Sequence, residues 1–342
     1  MGMALALVRI ANAASYLSDK PEVCMNCHVM TDAFASWQRG SHGQVAVCVD
    51  CHDPKTMKLR ITRPALREAS AAMGRDINEA THQGMRSLVC TQCQVEYYFH
   101  TDQEAGIKND LTLPRSKGRN LEEMLDYYDE IDFADYVHPI SGVRIVKSQH
   151  PDYELHLTGV HSYRDVSCAD CHMPYRTEGG AKYTNHHIQS PLLNVSESCA
   201  VCHRWSEEEI RDRVEVIQTK VFDAMMAAED ALVRAHLDIA AAVQIDVADV
   251  DLAPARKLVR HAQFHWDYVA STNGMGFHSP QESMRLLGEA ADLAQQARLQ
   301  ATRLLAAKAV AQAPRYPDLR TREQAWEVVQ TSIRGQGGRL LP

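Results

Sequence analysis

All ten cysteines of this 342-residue chain fall into pairs spaced by two residues: Cys24/Cys27, Cys48/Cys51, Cys90/Cys93, Cys168/Cys171 and Cys199/Cys202. Four of the pairs are followed directly by histidine, at His28, His52, His172 and His203. C-x-x-C-H is the spacing of covalent c-type haem attachment, in which two thiols add to the vinyl groups of one haem and the next residue places an imidazole on the iron. Zinc sites also pair cysteines, but they do not need histidine directly after the second, and thioredoxin-type motifs occur singly. The pattern predicts four haem c groups, with a possible fifth at Cys90/Cys93. There Gln94 stands in the histidine's place, and an amide is a feeble iron ligand beside imidazole. That haem is expected to be absent, labile or differently ligated, with His82, His100 and His42 as substitutes among which the sequence does not choose.

Covalent haem is attached outside the bacterial inner membrane, so a periplasmic address is expected. The apolar run Met1–Ala14 is broken by Arg9 and is short of the roughly 20 residues that cross a bilayer. It reads as a truncated membrane anchor. A net charge of −8, from 44 acidic and 36 basic residues, offers nucleic acid no attraction.

The texture changes after His203, where a long-helix region suited to dimerisation, 204–342, begins; the family resemblance described below divides the rest into an N-terminal haem segment, 1–47, and a haem and calcium core, 48–203. Helical spacing of Leu66, Ala69, Ala72 and Met73 predicts one helix over 60–84, and the Leu121–Tyr136 stretch also has helical character. The rest of 101–146 reads as irregular connection. Beyond His203, Ser206 and Glu209 form a capping box ahead of a helix to about Val243. A second helix is expected over Pro254–Ala270. A third opens at Ser279-Pro280 with Glu282 as a further capping box and runs to about Gln312. The fold class is therefore mostly α, a multihaem cytochrome c with a haem-packed core and long C-terminal helices.

From Cys48 onward the chain resembles the pentahaem ammonia-forming cytochrome c nitrite reductases, in CVDCHDPKTMKLRITRPALREA, RSLVCTQCQVEYYF, VKSQHPDYE, CADCHMPY, and CHRWSEEE through GFHSP. That resemblance implies a homodimer reducing nitrite to ammonium with six electrons. It implies a calcium site from Glu96, Tyr97, Lys147 and Gln149, whose carboxylate, amide and carbonyl oxygens suit a hard cation. It also implies Tyr97 and His150 as catalytic groups, and His161, His186 and His278 as distal haem ligands, with His187 an alternative for the second.

The N-terminal segment departs from that family. YLSDKPEVCMNCHVM and WQRGSHGQVAVC are similar to the first haem segment of the membrane-anchored tetrahaem quinol dehydrogenases that feed such reductases, in which a methionine like Met30 serves the iron. No C-x-x-C-K occurs in the chain, so the reductases' lysine-ligated haem and nitrite-holding arginine have no counterpart that can be assigned. The alternative function is an electron-transfer cytochrome relaying electrons from the quinol pool, or from a quinol-oxidising cytochrome, with no substrate site of its own.

Overall fold

The computed structural model describes residues 37–39, 46–102, 104, 106–310, 312, 314–317, 321, 323, 324, 326, 327 and 330. They divide into two compact units, each made of two stretches of chain. The cysteine unit takes the residues up to Cys93 together with Val160–Glu215, and the helical unit takes Gln94–Gly159 with the residues from Val216 on.

In the cysteine unit the helices are short. Cys48–Cys51, Pro64–Ala72, His82–Thr91, Cys168–His172 and Val195–Ser198 alternate with single 3-10 turns and the Tyr175–Glu178/Ala181–Thr184 hairpin. The single helix expected over 60–84 is two. Gly74, at φ +69°, ends the first, and a left-handed residue at this place is cheap only for glycine. Thr81 starts the second by accepting the Gly84 amide at 3.0 Å.

The helical unit carries three long helices. The Glu207–Gln244 helix enters it at Val216, followed by Asp249–Ala270 and Pro280–Ala307. The second begins five residues ahead of the expected Pro254, with Asp249 and Asp251 in its first turn where the helix dipole favours anions. The third stops at Ala307, short of the expected Gln312. Ala309 turns left-handed at φ +61°, letting the Val310 amide close on the Leu305 carbonyl at 3.1 Å. Of the two capping boxes, the one at Ser206 forms. The one at Ser279 does not, because Ser279 Oγ instead accepts the Thr158 hydroxyl at 2.8 Å.

Ala290, Ala294, Ala297 and Ala301 are fully buried along one face of the last helix, and their 4-3-4 spacing lets the neighbouring helix approach closely. Ala294, Ala297 and Ala301 join Ile239, Leu252 and Val259 in one apolar cluster, and Ala290 belongs to a second. A second, aromatic cluster sets Tyr98, Tyr128, Phe264 and Tyr268 beside Leu121, Met124 and Leu286. Gly276 is required in the loop between the last two helices: its φ is +74°, and a Cβ there would meet Val221 at 2.8 Å.

Residues 101–146 are more regular than expected. Tyr98–Asp102 and Ile107–Thr112 form an antiparallel hairpin, and Tyr136–Val137 pairs with Arg144–Ile145. Leu121–Glu130 is a helix with an Asn120/Glu123 capping box.

Candidate functional site

Each described C-x-x-C-H segment is one helical turn that presents two thiols and one ring. In the first, the Val47 amide bonds to Asp50 at 2.9 Å and the chain then leaves the helix at His52, whose φ of −120° is extended. In the second, Ser167 and Asp170 cap each other. In the third, the Cys202 amide closes on the Cys199 carbonyl at 3.1 Å and the His203 amide on the same oxygen at 2.9 Å. Cysteines three apart share a helix face, so both thiols of a pair reach the same side.

The protein does not enclose every thiol expected to bind haem. Cys202 is exposed, and so is Cys93, whereas Cys48, Cys51, Cys90, Cys168, Cys171 and Cys199 are half-buried. The reason at Cys202 is local. The Val195–Ser198 helix turns Val195 and Ser198 inward and ends before the attachment turn, leaving Ala200 and Val201 exposed together with Cys202. Cys202 is therefore not held in a protein pocket, and of its segment only Cys199 and His203 are partly covered.

Three of the rings are fixed at Nδ1 by a backbone carbonyl. His52 Nδ1 lies 2.9 Å from the Met57 carbonyl, His172 Nδ1 2.9 Å from that of Gln189, and His186 Nδ1 2.7 Å from that of Thr184. An Nδ1–H given to a carbonyl fixes the tautomer in which Nε2 carries the free lone pair. Burial lowers the His186 pKa, keeping it in that neutral form.

The structure brings these rings together in pairs within the cysteine unit. His52 and His186 have centroids 6.1 Å apart, and His161 and His203 6.2 Å apart. An iron bonded at about 2 Å to one nitrogen of each imidazole separates the centroids by roughly 6.3 Å, whatever the twist between the rings. The separation suits two imidazoles on one metal, and it is shared by His156 and His278 at 6.1 Å, so the adjoining C-x-x-C turns are what point to haem. His186, rather than His187, faces His52; the His187 amide is taken by Asn185 Oδ1 at 3.0 Å. His203 also stacks on Trp205 at 5.1 Å, beneath the Arg213 guanidinium.

Burial disfavours a reactive free thiolate at these cysteines. Burial pushes Cys51 up to about 11 and Cys171 up to about 12, and Cys90 is raised by its hydrogen bond with Cys168 and by burial. Reactive-cysteine sites need the thiolate instead. Among the described residues no cluster of three or more His, Cys, Asp or Glu side chains is arranged to hold a metal ion. Cys24, Cys27, His28, Met30 and His42 lie outside the described residues.

In the helical unit a different constellation surrounds Glu96, which is fully buried. Its carboxylate accepts the Tyr128 hydroxyl at 3.0 Å, the Ser148 hydroxyl at 2.9 Å and the Gln149 amide at 2.7 Å. The segment 147–149 is held by three carboxylates in succession: Lys147 N–H donates to Asp135 at 2.7 Å, Ser148 N–H to Asp267 at 3.1 Å, and Gln149 N–H to Glu96. Beneath them Glu154 is buried too. It pairs with Arg115 and accepts the Glu96 amide at 3.3 Å, while its Oε2 finds no partner. Burial pushes Glu96 up to about 8 and raises Asp135, Glu154 and Asp267.

These desolvated carboxylates are met by Arg115 at Glu154 and by Arg260 and Lys147 at Asp135, while Oε2 of Glu154 has no partner, so the oxygens around Glu96 can take a hard cation. Glu96 and Gln149 are brought together, with Tyr97 next in chain. The Lys147 side chain is exposed, which leaves its carbonyl as the oxygen on offer. Tyr97 and His150 also meet, with ring centroids 6.4 Å apart and His150 exposed.

His278 sits in the helical unit with Nδ1 3.2 Å from Asp152 and its ring edge-on to His156 at 6.1 Å. The sequence reading missed Tyr128, Asp135, Ser148, Glu154, Arg115, Asp267 and His156. They are scattered singly along the chain, and none carries a motif.

The family model for cytochrome c552 matches residues 19–336. Cytochrome c-552 of Bacteroides fragilis is 45% identical over 324 residues, covering 91% of this chain and 65% of the relative. That of Parabacteroides distasonis is 46% identical over 282 residues, covering 82% and 56%. The chain thus spans less than two thirds of these curated relatives' length. Among solved structures, the cytochrome c nitrite reductase of Desulfovibrio desulfuricans, whose catalytic subunit has two calcium sites, matches with a TM-score of 0.72 and 33% identity, covering 85% of this chain and 66% of that one. With its repeated haem c attachment motifs and a family match running through nearly all of it, the chain belongs to the cytochrome c552 family.

Proposed function

We propose that this chain takes part in the six-electron reduction of nitrite to ammonium at a haem iron in the periplasm. The observation that carries the reading is the joint placement of Tyr97 and His150 beside the buried Glu96–Gln149 contact, an arrangement with no use in a pure electron carrier. Nitrite takes up six electrons and eight protons to give ammonium and two waters. When bound, the haems supply the electrons. An exposed imidazole at His150 can deliver protons to the substrate oxygens and offset their charge, with the Tyr97 hydroxyl as the second polar group.

Glu96, Gln149 and the backbone carbonyls of Tyr97 and Lys147 would hold Ca2+, which fixes the strand-entry segment carrying Tyr97. The pairs His52/His186 and His161/His203 would each hold the iron of one haem, with His172 and His28 each serving another. Cys202 and Cys93 are kept as attachment points in spite of their exposure, since a thioether is a covalent bond and needs no pocket to hold it. His278 is kept as a distal ligand, and Met30 serves the first iron in a segment akin to the quinol dehydrogenases. Phe222 and Met226, exposed one turn apart on the Glu207–Gln244 helix, support a homodimer. The quinol pool, or a cytochrome that oxidises it, is the donor. Among the described residues no helix is long and apolar enough to cross a membrane.

The holoprotein with reduced viologen should yield ammonium from nitrite, and Tyr97→Phe and His150→Asn should each lower that rate about a hundredfold while haem content is kept. No ammonium from the parent would overturn the reading. It would favour electron relay instead, a reading supported by the two facing histidine pairs, which leave no open position on their irons.

A further inference from the structure

Among the described residues of the cysteine unit, Arg86 is the only charged side chain that is buried, at 5% exposure. A guanidinium out of water is costly unless its N–H donors are met. Here most are not. Nη2 donates to Asp170 Oδ1 at 3.0 Å, Nε is buried with no partner, and no hydrogen bond reaches Nη1 among the described residues. Asp170 has little more to give, because its other oxygen already accepts the Ser167 amide and hydroxyl, each at 2.8 Å, and Gln83 Nε2.

A second cation meets the first at one ring. The Arg86 guanidinium lies 4.8 Å from the centre of Tyr175, and Lys182 Nζ lies 4.3 Å from the same centre. The ring face offsets part of each charge, but two cations so close still repel. Asp170 is the only carboxylate paired with either among the described residues. The arrangement calls for another anion. Its surroundings indicate which. Tyr175 lies opposite Thr184 in the hairpin, and the Thr184 carbonyl fixes His186 Nδ1 at 2.7 Å, on the ring that faces His52. Haem carries propionate carboxylates, and the planar fork of arginine matches a carboxylate.

We infer that Arg86, with Lys182 beside it, binds a propionate carboxylate of the haem whose iron His52 and His186 would hold, keeping that carboxylate ionised and raising the haem's reduction potential. Arg86 is then a positioning residue for the cofactor, and Asp170 orients it. The inference rests on the axial pairing proposed above and not on ammonium formation.

The test is redox titration of the holoprotein at pH 6 and pH 8 by electron paramagnetic resonance, beside Arg86→Gln, Arg86→Lys and Lys182→Gln. Haem on the Cys48–His52 peptide is read by mass, and His186→Met marks the midpoint that belongs to this haem. The parent midpoint should be the same at both pH values. Arg86→Gln should lower it at pH 8 by about tenfold in the ferric-to-ferrous equilibrium, ~59 mV for one electron. At pH 6 that variant's midpoint should rise again, as the released carboxylate takes up a proton on reduction. Arg86→Lys should keep most of the parent behaviour, and Lys182→Gln should shift the midpoint in the same direction by less. If Arg86→Gln does not assemble, Lys182→Gln decides. Unchanged midpoints in both glutamine variants, a shift confined to another haem, or no haem on that peptide would overturn the inference. So would added phosphate that moves the parent midpoint and not that of Arg86→Gln, since the site would then take a free anion only. Shifted midpoints without ammonium leave this site standing and refute only the proposed function; ammonium with unshifted midpoints does the reverse.

Discussion

The two units solve the folding problem with different materials. In the helical unit, two apolar clusters bury whole faces of three long helices, and Phe264, Leu252, Leu286 and the alanine stripe are at 0% exposure. The cysteine unit buries few large apolar side chains among its described residues, chiefly Ile61, Leu66, Ile77, Val195, Ile210 and Val214. Its chain is tied by polar contacts instead. Gln92 bridges Thr62, Arg63 and the Asp50 carbonyl, Arg86 pairs with Asp170 at 3.0 Å, and Arg176 with Glu197 at 2.6 Å. Burial of apolar surface is the main favourable term in folding, so a unit short of it needs another source. Covalently bound haem would supply both apolar surface and cross-links, and the contrast teaches that the cysteine unit depends on such a source far more than the helical unit does.

The largest expected effect follows from withholding haem during expression. Hydrogen exchange followed by mass spectrometry should then find peptides of 46–93 and 160–215 nearly unprotected, while those within 252–269 and 286–305 keep slow exchange. Equal protection in both units would break the contrast.

A core truncation probes it from the other side. Phe264→Ala removes a fully buried ring that packs edge-on to Tyr128 at 5.7 Å, at an expected cost of about 3–5 kcal/mol in chemical denaturation. The haem absorption spectrum should not move. A spectral change of the size seen on unfolding would mean that the haems report on the helical core after all.

Acid sharpens the comparison further. His236 is buried with its ring stacked on His138 at 4.0 Å and Nδ1 2.7 Å from Ser141 Oγ. Burial, with His138 beside it, holds its pKa down to about 3 against an ordinary 6.5. The unfolded chain therefore binds the extra proton between those values. Stability contributed by the neutral ring is complete above about pH 6.5 and lost as pH falls toward 3, at about 1.4 kcal/mol per pH unit. Glu96, pushed up to about 8 in the same unit, opposes this slope, so the readout is the difference in denaturation: between pH 5 and pH 7 the parent should gain stability relative to His236→Asn. An unchanged slope in the variant would assign the acid sensitivity elsewhere.

How much of this was legible in the chain depends on where the signal sits. Attachment motifs are local and chemically specific, so Cys48 to His52 and Cys168 to His172 could be read directly. The motif does not say how far the protein covers its thiols, and the exposure of Cys202 follows from where the preceding helix ends. The long helices could be read from their period, with ends misjudged where a single left-handed residue such as Ala309 decides them. The carboxylate set around Lys147–Gln149 could not be read, because Asp135, Glu154 and Asp267 converge only after folding and each alone reads as a surface acid. The 98–112 hairpin was hidden for another reason. Both faces of Ile107–Thr112 are largely exposed, so no alternation of apolar and polar residues marks the strand.

The smallest effect concerns helix caps, whose worth is local and should ignore the difference between the units. Thr81 accepts the Gly84 amide at 3.0 Å in the cysteine unit, and Asn120 accepts the Glu123 amide at 2.8 Å in the helical unit. Each satisfies one amide that the first helical turn leaves without a partner. Thr81→Ala and Asn120→Ala should each cost about 1 kcal/mol in the holoprotein, read as shifts of the denaturation midpoint. Equality matters more than size here. If Thr81→Ala costs several times more and also releases haem, then the His82–Thr91 helix depends on its cap because no apolar core stands behind it, and the cofactor is a weaker core than the comparison takes it to be.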